Sequence, residues 1–360
     1  MEGGAWFSKL TAGETPAYPV VLAGEDACVP GDTIAGEDAY VPGQAIAGET
    51  PAYPDGMESI VIMVRHGDCT SLKKMKGKIA TIGYFDGVHR GHRYLFAQLR
   101  EQGVARGLAP AIYTFYEHPK EVVCGLCPPL LTTREERLRL LESEGEVQVL
   151  SFASIRSLTA AEFMQRLQTE GVRVLLMGYD HHFGSDRLTD FCDYARIGRE
   201  VGIEVVLARE LSEEETGHVS SSAIRRALLS GDVEAANRML GYPYAICGEV
   251  VRGNAIGRTI GFPTANIDYA AEKLLPPAGV YVGRCSVGEK DYPTLVNIGS
   301  NPTVGNRRTT VEGYLAGFAG DVYGQRLCFR LERFVREEQK FSSLQELQEQ
   351  ITKDLQMIGE

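Results

Sequence analysis

No stretch of this 360-residue chain approaches the 18 or more uninterrupted apolar residues that a membrane-spanning helix needs, and the N-terminus lacks a basic region followed by an apolar one. These absences make the cytoplasm the expected compartment. A surplus of basic charge is missing as well, since 37 Lys and Arg stand against 48 Asp and Glu. A binder of nucleic-acid backbone wants a basic face, and the only Lys cluster is Lys73-Lys74-Met75-Lys76. Neither nucleic acid nor a membrane is expected as a partner; protein partners are not legible. No GxxxxGK[ST] occurs, so a phosphate site here is not of the Walker type. The eight cysteines are scattered, and the one close pair, Cys124-Gly125-Leu126-Cys127, has neither a second CxxC nor a nearby histidine pair. Reduced thiols in a loop are expected there.

What is present divides into three materials. Residues 1–56 repeat one short unit, from Ala12-Gly13-Glu14-Thr15-Pro16-Ala17-Tyr18-Pro19 through copies beginning at Ala23, Ala35 and Ala47. Units with Pro and Gly in every copy are too short for a solenoid. Nine acids against one lysine leave a net charge of only −3 for the rest, out of −11 for the whole chain. Low hydrophobicity with high charge predicts a disordered, dispensable extension, with Met57 the start of a protein of ordinary length.

From 57 to 241 apolar runs alternate with helical patterns. Ile60–Val64, Ile79–Ile82, Ala111–Phe115, Val147–Phe152, Val172–Met177 and Ile203–Leu207 read as strands, and segments near 92–102, 133–143, 159–170 and 189–201 as helices. Such alternation implies an α/β domain whose parallel sheet binds a nucleotide at the C-terminal ends of its strands. From 242 to 360 short strands separated by Gly, Pro and Asn predict an all-β unit, a small antiparallel barrel. Ser343-Leu344-Gln345-Glu346 reads as a capping box, and Leu344, Leu347, Ile351 and Leu355 as the apolar stripe of a terminal helix packed on that barrel.

Chemistry concentrates in two motifs. Gly83-Tyr84-Phe85-Asp86-Gly87-Val88-His89-Arg90-Gly91-His92 joins a predicted strand to a predicted helix. Glycines at 83, 87 and 91 let backbone amides approach an anion, and the helix N-terminus adds unpaired N–H groups. His89 and His92 could neutralise charge on a phosphate in transfer. The plain alternative is that both histidines fill a turn. Gly257-Arg258-Thr259-Ile260-Gly261-Phe262-Pro263-Thr264-Ala265-Asn266 is the second motif; alone, it also reads as a glycine-rich barrel turn leading into a strand.

The first motif resembles the HxGH signature of the nucleotidyltransferases and, in the form GxFDGxHxGH, the adenylyltransferase half of bacterial bifunctional riboflavin kinase/FMN adenylyltransferases. The second resembles that family's kinase half. The resemblance spans about Ile60 to the C-terminus. It implies a Rossmann-like nucleotidyltransferase domain followed by a riboflavin kinase barrel, with riboflavin, FMN and ATP as substrates, Mg²⁺ accompanying ATP, and FMN and FAD as products. Gly83, Phe85, Asp86, Gly87 and Gly91 are then nucleotide contacts. Thr114-Phe115-Tyr116-Glu117-His118-Pro119 matches a TFxxHP element and assigns His118 to the flavin. Gly178-Tyr179-Asp180-His181-His182-Phe183-Gly184 matches GxDxxFG, which places Asp180 and Phe183 near nucleotide and flavin. His181 and His182, as neighbours on a strand, would point to opposite faces and not share a metal. Ser220, Ser221, Ser222 and Arg225 match a helix-opening SSTxIR element. One hydroxyl there could simply cap the helix, but three hydroxyls and an Arg one turn later also suit triphosphate oxygens. Tyr84, Glu117 and the His181-His182 pair depart from the family pattern, in positions that bear on flavin contact.

In the kinase half the resemblance gives Gly257, Arg258 and Gly261 to ATP phosphates and makes Thr264 and Asn266 the oxygen ligands of Mg²⁺. Asn297-Ile298-Gly299-Ser300-Asn301-Pro302-Thr303 and Thr310-Val311-Glu312 continue the match. It makes Glu312 the general base that takes the riboflavin 5′-hydroxyl proton.

Overall fold

The computed structural model describes residues 60–62, 76–179, 181–211, 219–253, 256–300 and 309–359. The acidic repeats of 1–56, with the disorder expected of them, lie outside the described residues, as do Asp180 and the Asn301-Pro302-Thr303 end of the NxGxNPT element.

Six strands form the first sheet: β1 (Ile60–Ile62), β2 (Lys78–Ile82), β3 (Ala109–Phe115), β4 (Glu146–Leu150), β5 (Val172–Met177) and β6 (Glu204–Leu207), in the order β1-β4-β3-β2-β5-β6. Strands β2 to β6 pair in parallel, as the alternation with helices requires. β1 departs from the expectation of a wholly parallel sheet. It runs antiparallel to β4 at the edge, with Val61 opposite Gln148. Helix α1 (Arg90–Arg106) follows β2 and ends on Gly107 in the left-handed conformation. The short α2 (Pro119–Cys124) follows β3, and α3 (Arg134–Glu142) leads into β4. Next come α4 (Phe152–Ile155), α5 (Ala160–Thr169) and α6 (Phe191–Val201). Apolar clusters around Phe163, Tyr194 and Leu175 and around Phe96, Leu99 and Leu141 fill the two sides of the sheet. Phe152 opens α4 and does not end the preceding strand.

Helices α7 (Ser221–Leu229) and α8 (Val233–Leu240) connect the sheet to the barrel; α8 was not apparent in the sequence. The closed antiparallel barrel comprises β7 (Tyr244–Val251), β8 (Ala265–Tyr269), β9 (Gly279–Val287), β10 (Lys290–Ser300), β11 (Thr309–Leu315) and β12 (Arg326–Glu337), in the order β10-β11-β8-β7-β12-β9. A short helix, α9 (Ile256–Thr259), sits in the connection from β7 to β8. Ile224, Leu228 and Leu240 of α7 and α8 share one core with barrel residues Ile246, Val296 and Phe329. Leu131, from the loop before α3, belongs to the same core, so the two halves are packed together.

Terminal helix α10 (Leu344–Gln356) packs Ile351 and Leu355 against Val280, Val282 and Leu295 of the barrel. Leu344 does not join this stripe and is exposed. The capping box is also incomplete: Ser343 accepts the Glu346 N–H, but the Glu346 carboxylate turns to Ser342. The thiol expectation needs correction too. Cys124 is disulfide-bonded, and Cys247 on β7 is bonded to Cys328, its register partner on β12, whereas Cys127, Cys192 and Cys285 are free.

Candidate functional site

The first site is a loop pinned between β2 and α1. His89 is the N-cap of α1, and its Nδ1 accepts the His92 N–H. The two imidazoles stack with centroids 3.6 Å apart, and His92 meets Phe85 edge-on. Burial pushes His92 down to about 3, which leaves its ring neutral at pH 7. In that state it is a neutral hydrogen-bond partner. Its Nδ1 is buried without a hydrogen bond.

The loop backbone is strained. Phe85 and Val88 have φ of +58° and +37°, in a region that side chains rarely adopt, beside Gly87 at +79°. Gly83 and Gly91 are close-approach positions: a Cβ at 83 would lie 2.8 Å from the Phe85 ring, and one at 91 would lie 3.2 Å from the His89 ring. Such strain persists only where surroundings fix it.

Asp86 supplies much of that fixing. Its buried carboxylate accepts the Leu131 and Thr132 N–H groups at 3.0 and 2.9 Å, the Thr132 hydroxyl at 2.9 Å and the Arg225 guanidinium at 2.6 Å. Burial alone would raise its pKa, but Arg225 and these donors prevail and hold it below the usual carboxylate range. Asp86 thus anchors the loop through oxygens already occupied. Ser220 caps α7 by accepting the Ala223 N–H, and Ser221 donates to the Asp86 carbonyl, so the helix-opening serines are partly committed to the fold. A Cβ on Gly91 would lie 3.7 Å from the Val219 carbonyl, which brings the α7 N-terminus beside that of α1. Two helix N-termini with their amide donors thereby converge next to the stacked histidines.

His118 is buried, caps α2 by accepting the Lys120 N–H, and meets Tyr84 edge-on at 4.5 Å. Burial pushes it down to about 4. Tyr84 also lies under the Arg137 guanidinium at 3.6 Å. Glu117 accepts the Ser151 hydroxyl and the Phe152 N–H, which tethers the start of α4. These two departures from the family pattern are built into the scaffold. Phe183 packs on Phe163 and Tyr194, with its N–H and C=O both bonded to the Tyr194 hydroxyl. His181 and His182 lie in the loop after β5, not on the strand as expected, and turn to Phe183 and Tyr194 respectively. Among the described residues no cluster of His, Cys, Asp and Glu can hold a metal.

The second site is a row across the barrel ladder. Glu312 on β11 pairs with Asn266 on β8 and with Asn297 on β10, which sets the three side chains on one face. The alternate residues Val311, Gly313 and Leu315 point into the core. Glu312 accepts the Thr264 hydroxyl at 3.2 Å and a bond from the Asn266 side chain. Desolvation raises its pKa despite these two donors. That is the setting of a proton acceptor, and differs from a fully solvated strand carboxylate. A Cβ on Gly253 would fall 2.4 Å from Asn266, so the β7–β8 connection runs directly over this row. Gly257 approaches the Phe262 carbonyl in the same way, and Gly261 is left-handed at φ +86°. Arg258 lies in the single turn of the short α9. The hydroxyl and amide oxygens of Thr264 and Asn266 are hard donors of the kind that suit Mg²⁺, and their small number fits an ion bound jointly with phosphates.

Residues that sequence reasoning missed are those acting over long range: Thr132, Arg137, Tyr242 and Lys273. Tyr242 donates to the Gly87 carbonyl, and Lys273 reaches Leu131. Neither carries a local signal.

Among known families, the model for riboflavin kinase matches residues 240–360 and that for FAD synthetase matches 71–223. The bifunctional riboflavin kinase/FMN adenylyltransferase of Escherichia coli (strain K12) is 39% identical over 286 residues, covering 78% of this chain and 91% of that protein. Those of Pseudomonas fluorescens and Bacillus subtilis are 37% and 34% identical and are covered over 91% and 90% of their lengths. A crystal structure described as a macrolide-efflux protein from Streptococcus pneumoniae superposes with a TM-score of 0.71 at 31% identity, over 80% of this chain and 96% of that one. No helix among the described residues of the present chain is long and apolar enough to cross a membrane. With two family models in tandem and full-length relatives well above 30% identity, the chain belongs to the bifunctional riboflavin kinase/FMN adenylyltransferase family.

Proposed function

We propose that the chain makes FMN from riboflavin in its barrel half, taken as 242–360, and FAD from FMN in its α/β half, 57–241, acting in the cytoplasm. The observation that carries this reading is the co-occurrence, in one chain, of a histidine-capped anion loop at two converging helix N-termini and a desolvated Glu312 held by Thr264 and Asn266. In the first reaction the riboflavin 5′-oxygen attacks the γ-phosphorus of ATP, ADP leaves, and Glu312 takes the hydroxyl proton. Thr264 and Asn266 would hold Mg²⁺, which, when bound, offsets charge on the phosphates. Gly257, Arg258 and Gly261 shape the turn for the same phosphates. In the second reaction an FMN phosphate oxygen attacks the α-phosphorus and pyrophosphate leaves. His89, His92, the amides of Gly83 to Gly91, Ser222 and Arg225 position and stabilise that charge, and the family motifs give His118 and Phe183 to the flavin and Asp180 to the nucleotide.

Incubation with riboflavin, ATP and Mg²⁺, followed by chromatography, should show FMN and then FAD. Supplied FMN should give FAD and pyrophosphate without ADP. Absence of either product would remove the corresponding half of the reading. A sharper local expectation concerns Gly253. Substitution with Ala must displace the Asn266 side chain, so Gly253→Ala should lower riboflavin phosphorylation about tenfold or more, as small misplacements do. FAD formation from supplied FMN should stay near normal, as steady-state rates of the two half-reactions will show.

A further inference from the structure

We propose that Lys273, a side chain of the barrel half, is a positioning residue for the adenylyl-transfer loop of the other half; this rests on the functional reading above. Lys273 lies between β8 and β9 and is buried. Its Nζ donates at 2.7 Å to the Leu131 carbonyl and at 2.7 Å to the Glu136 carboxylate. Glu136 also accepts the Thr133 N–H as part of the capping box that starts α3. The backbone is stitched at the same place: Leu130 donates to the Glu272 carbonyl and Leu274 donates to the Leu130 carbonyl. Residues 130–133 are therefore a strap whose outer side is held by the barrel half.

The inner side of that strap holds the loop. Leu131 and Thr132 donate their N–H groups to Asp86, and the Thr132 hydroxyl accepts the Gly87 N–H at 3.0 Å. A Cβ on Gly87 would lie 2.9 Å from the Leu131 side chain, so strap and loop are in direct contact. The loop carries two non-glycine residues at positive φ, Phe85 and Val88, and keeps that shape only while its surroundings impose it. Lys273 is thus one residue removed from the groups that impose it. A buried ion pair is rarely better for stability than an apolar pair of the same volume. What the Lys273–Glu136 pair supplies that an apolar pair cannot is a direction, namely hydrogen bonds that fix where the Leu131 carbonyl and the α3 N-terminus sit.

The test compares full-length wild type, Lys273→Met and Lys273→Met/Glu136→Gln. The double variant removes the carboxylate that the single variant leaves buried and unpaired, so it should recover much of any melting temperature lost. If Lys273 positions the strap, kcat for FAD formation from FMN falls about ten- to a hundredfold in both variants, with KM for FMN changed less and riboflavin phosphorylation within about twofold of wild type. Recovery of the adenylylation rate together with melting temperature in the double variant would make the pair merely structural and overturn the proposal. So would an undiminished rate in Lys273→Met, or a parallel loss of both activities at unchanged melting temperature. A wild-type protein that makes no FAD from FMN would instead defeat the functional reading itself.

Discussion

Replacing Glu312 by Gln should lower riboflavin kinase kcat about a hundred- to ten-thousandfold, the contribution typical of a general base, while KM for riboflavin changes little. Gln keeps the shape and can still meet Thr264, but it cannot take a proton. Were Glu312 an ordinary outward strand residue, the change would alter stability by at most about 0.5 kcal/mol and leave rates alone. The structure separates these outcomes because Glu312 is partly desolvated and sits in register between Asn266 and Asn297, with Thr264 3.2 Å away. Its raised pKa has a signed consequence. A base must be deprotonated to act, so the acid limb of the kinase rate profile should lie above the range of an exposed glutamate and should vanish in Glu312→Gln. Adenylylation of supplied FMN should continue near its normal rate on the same purified protein. An undiminished kinase rate would leave that half resting on Thr264 and Asn266 alone.

The two sites differ in how much of them could be read without coordinates. The family resemblance singles out Glu312, Thr264 and Asn266, and strand alternation with antiparallel register then places them on one face. The loop at 83–92 is legible in its glycines and histidines, because each does its work within a few residues. Asp86 is not. Its carboxylate looks like a member of the phosphate site, yet it spends its oxygens on residues 45, 46 and 139 positions away. Lys273 gave no sign of being buried, because the carbonyl that receives it is 142 residues distant in the chain. The direction of β1 was hidden for a related reason. Three residues of strand carry no orientation of their own, and pairing with β4 decides it. The Cys247–Cys328 bond was likewise hidden, because the two cysteines lie 81 residues apart and only the barrel register sets them opposite each other.

His92→Ala should reduce FAD formation from supplied FMN about a hundredfold or more, the scale seen when a preorganised donor to developing charge is lost. The neutral state of His92 sharpens this expectation. Buried between His89 and Phe85, with its pKa pushed down to about 3, the ring carries no proton surplus until a phosphate arrives to favour one. On the reading that its donor acts chiefly on the charge developing at the α-phosphorus, kcat should fall more than KM for ATP rises. His89→Ala should cost a similar or smaller factor, with an added loss of melting temperature, because His89 is also the cap of α1 and Ala at a cap costs about 1 kcal/mol. Riboflavin phosphorylation should survive both changes. Measuring both half-reactions and the melting temperature for each variant checks the assignment: a joint fall of both activities with the fold intact would mean that the stacked histidines and Glu312 do not serve separate reactions.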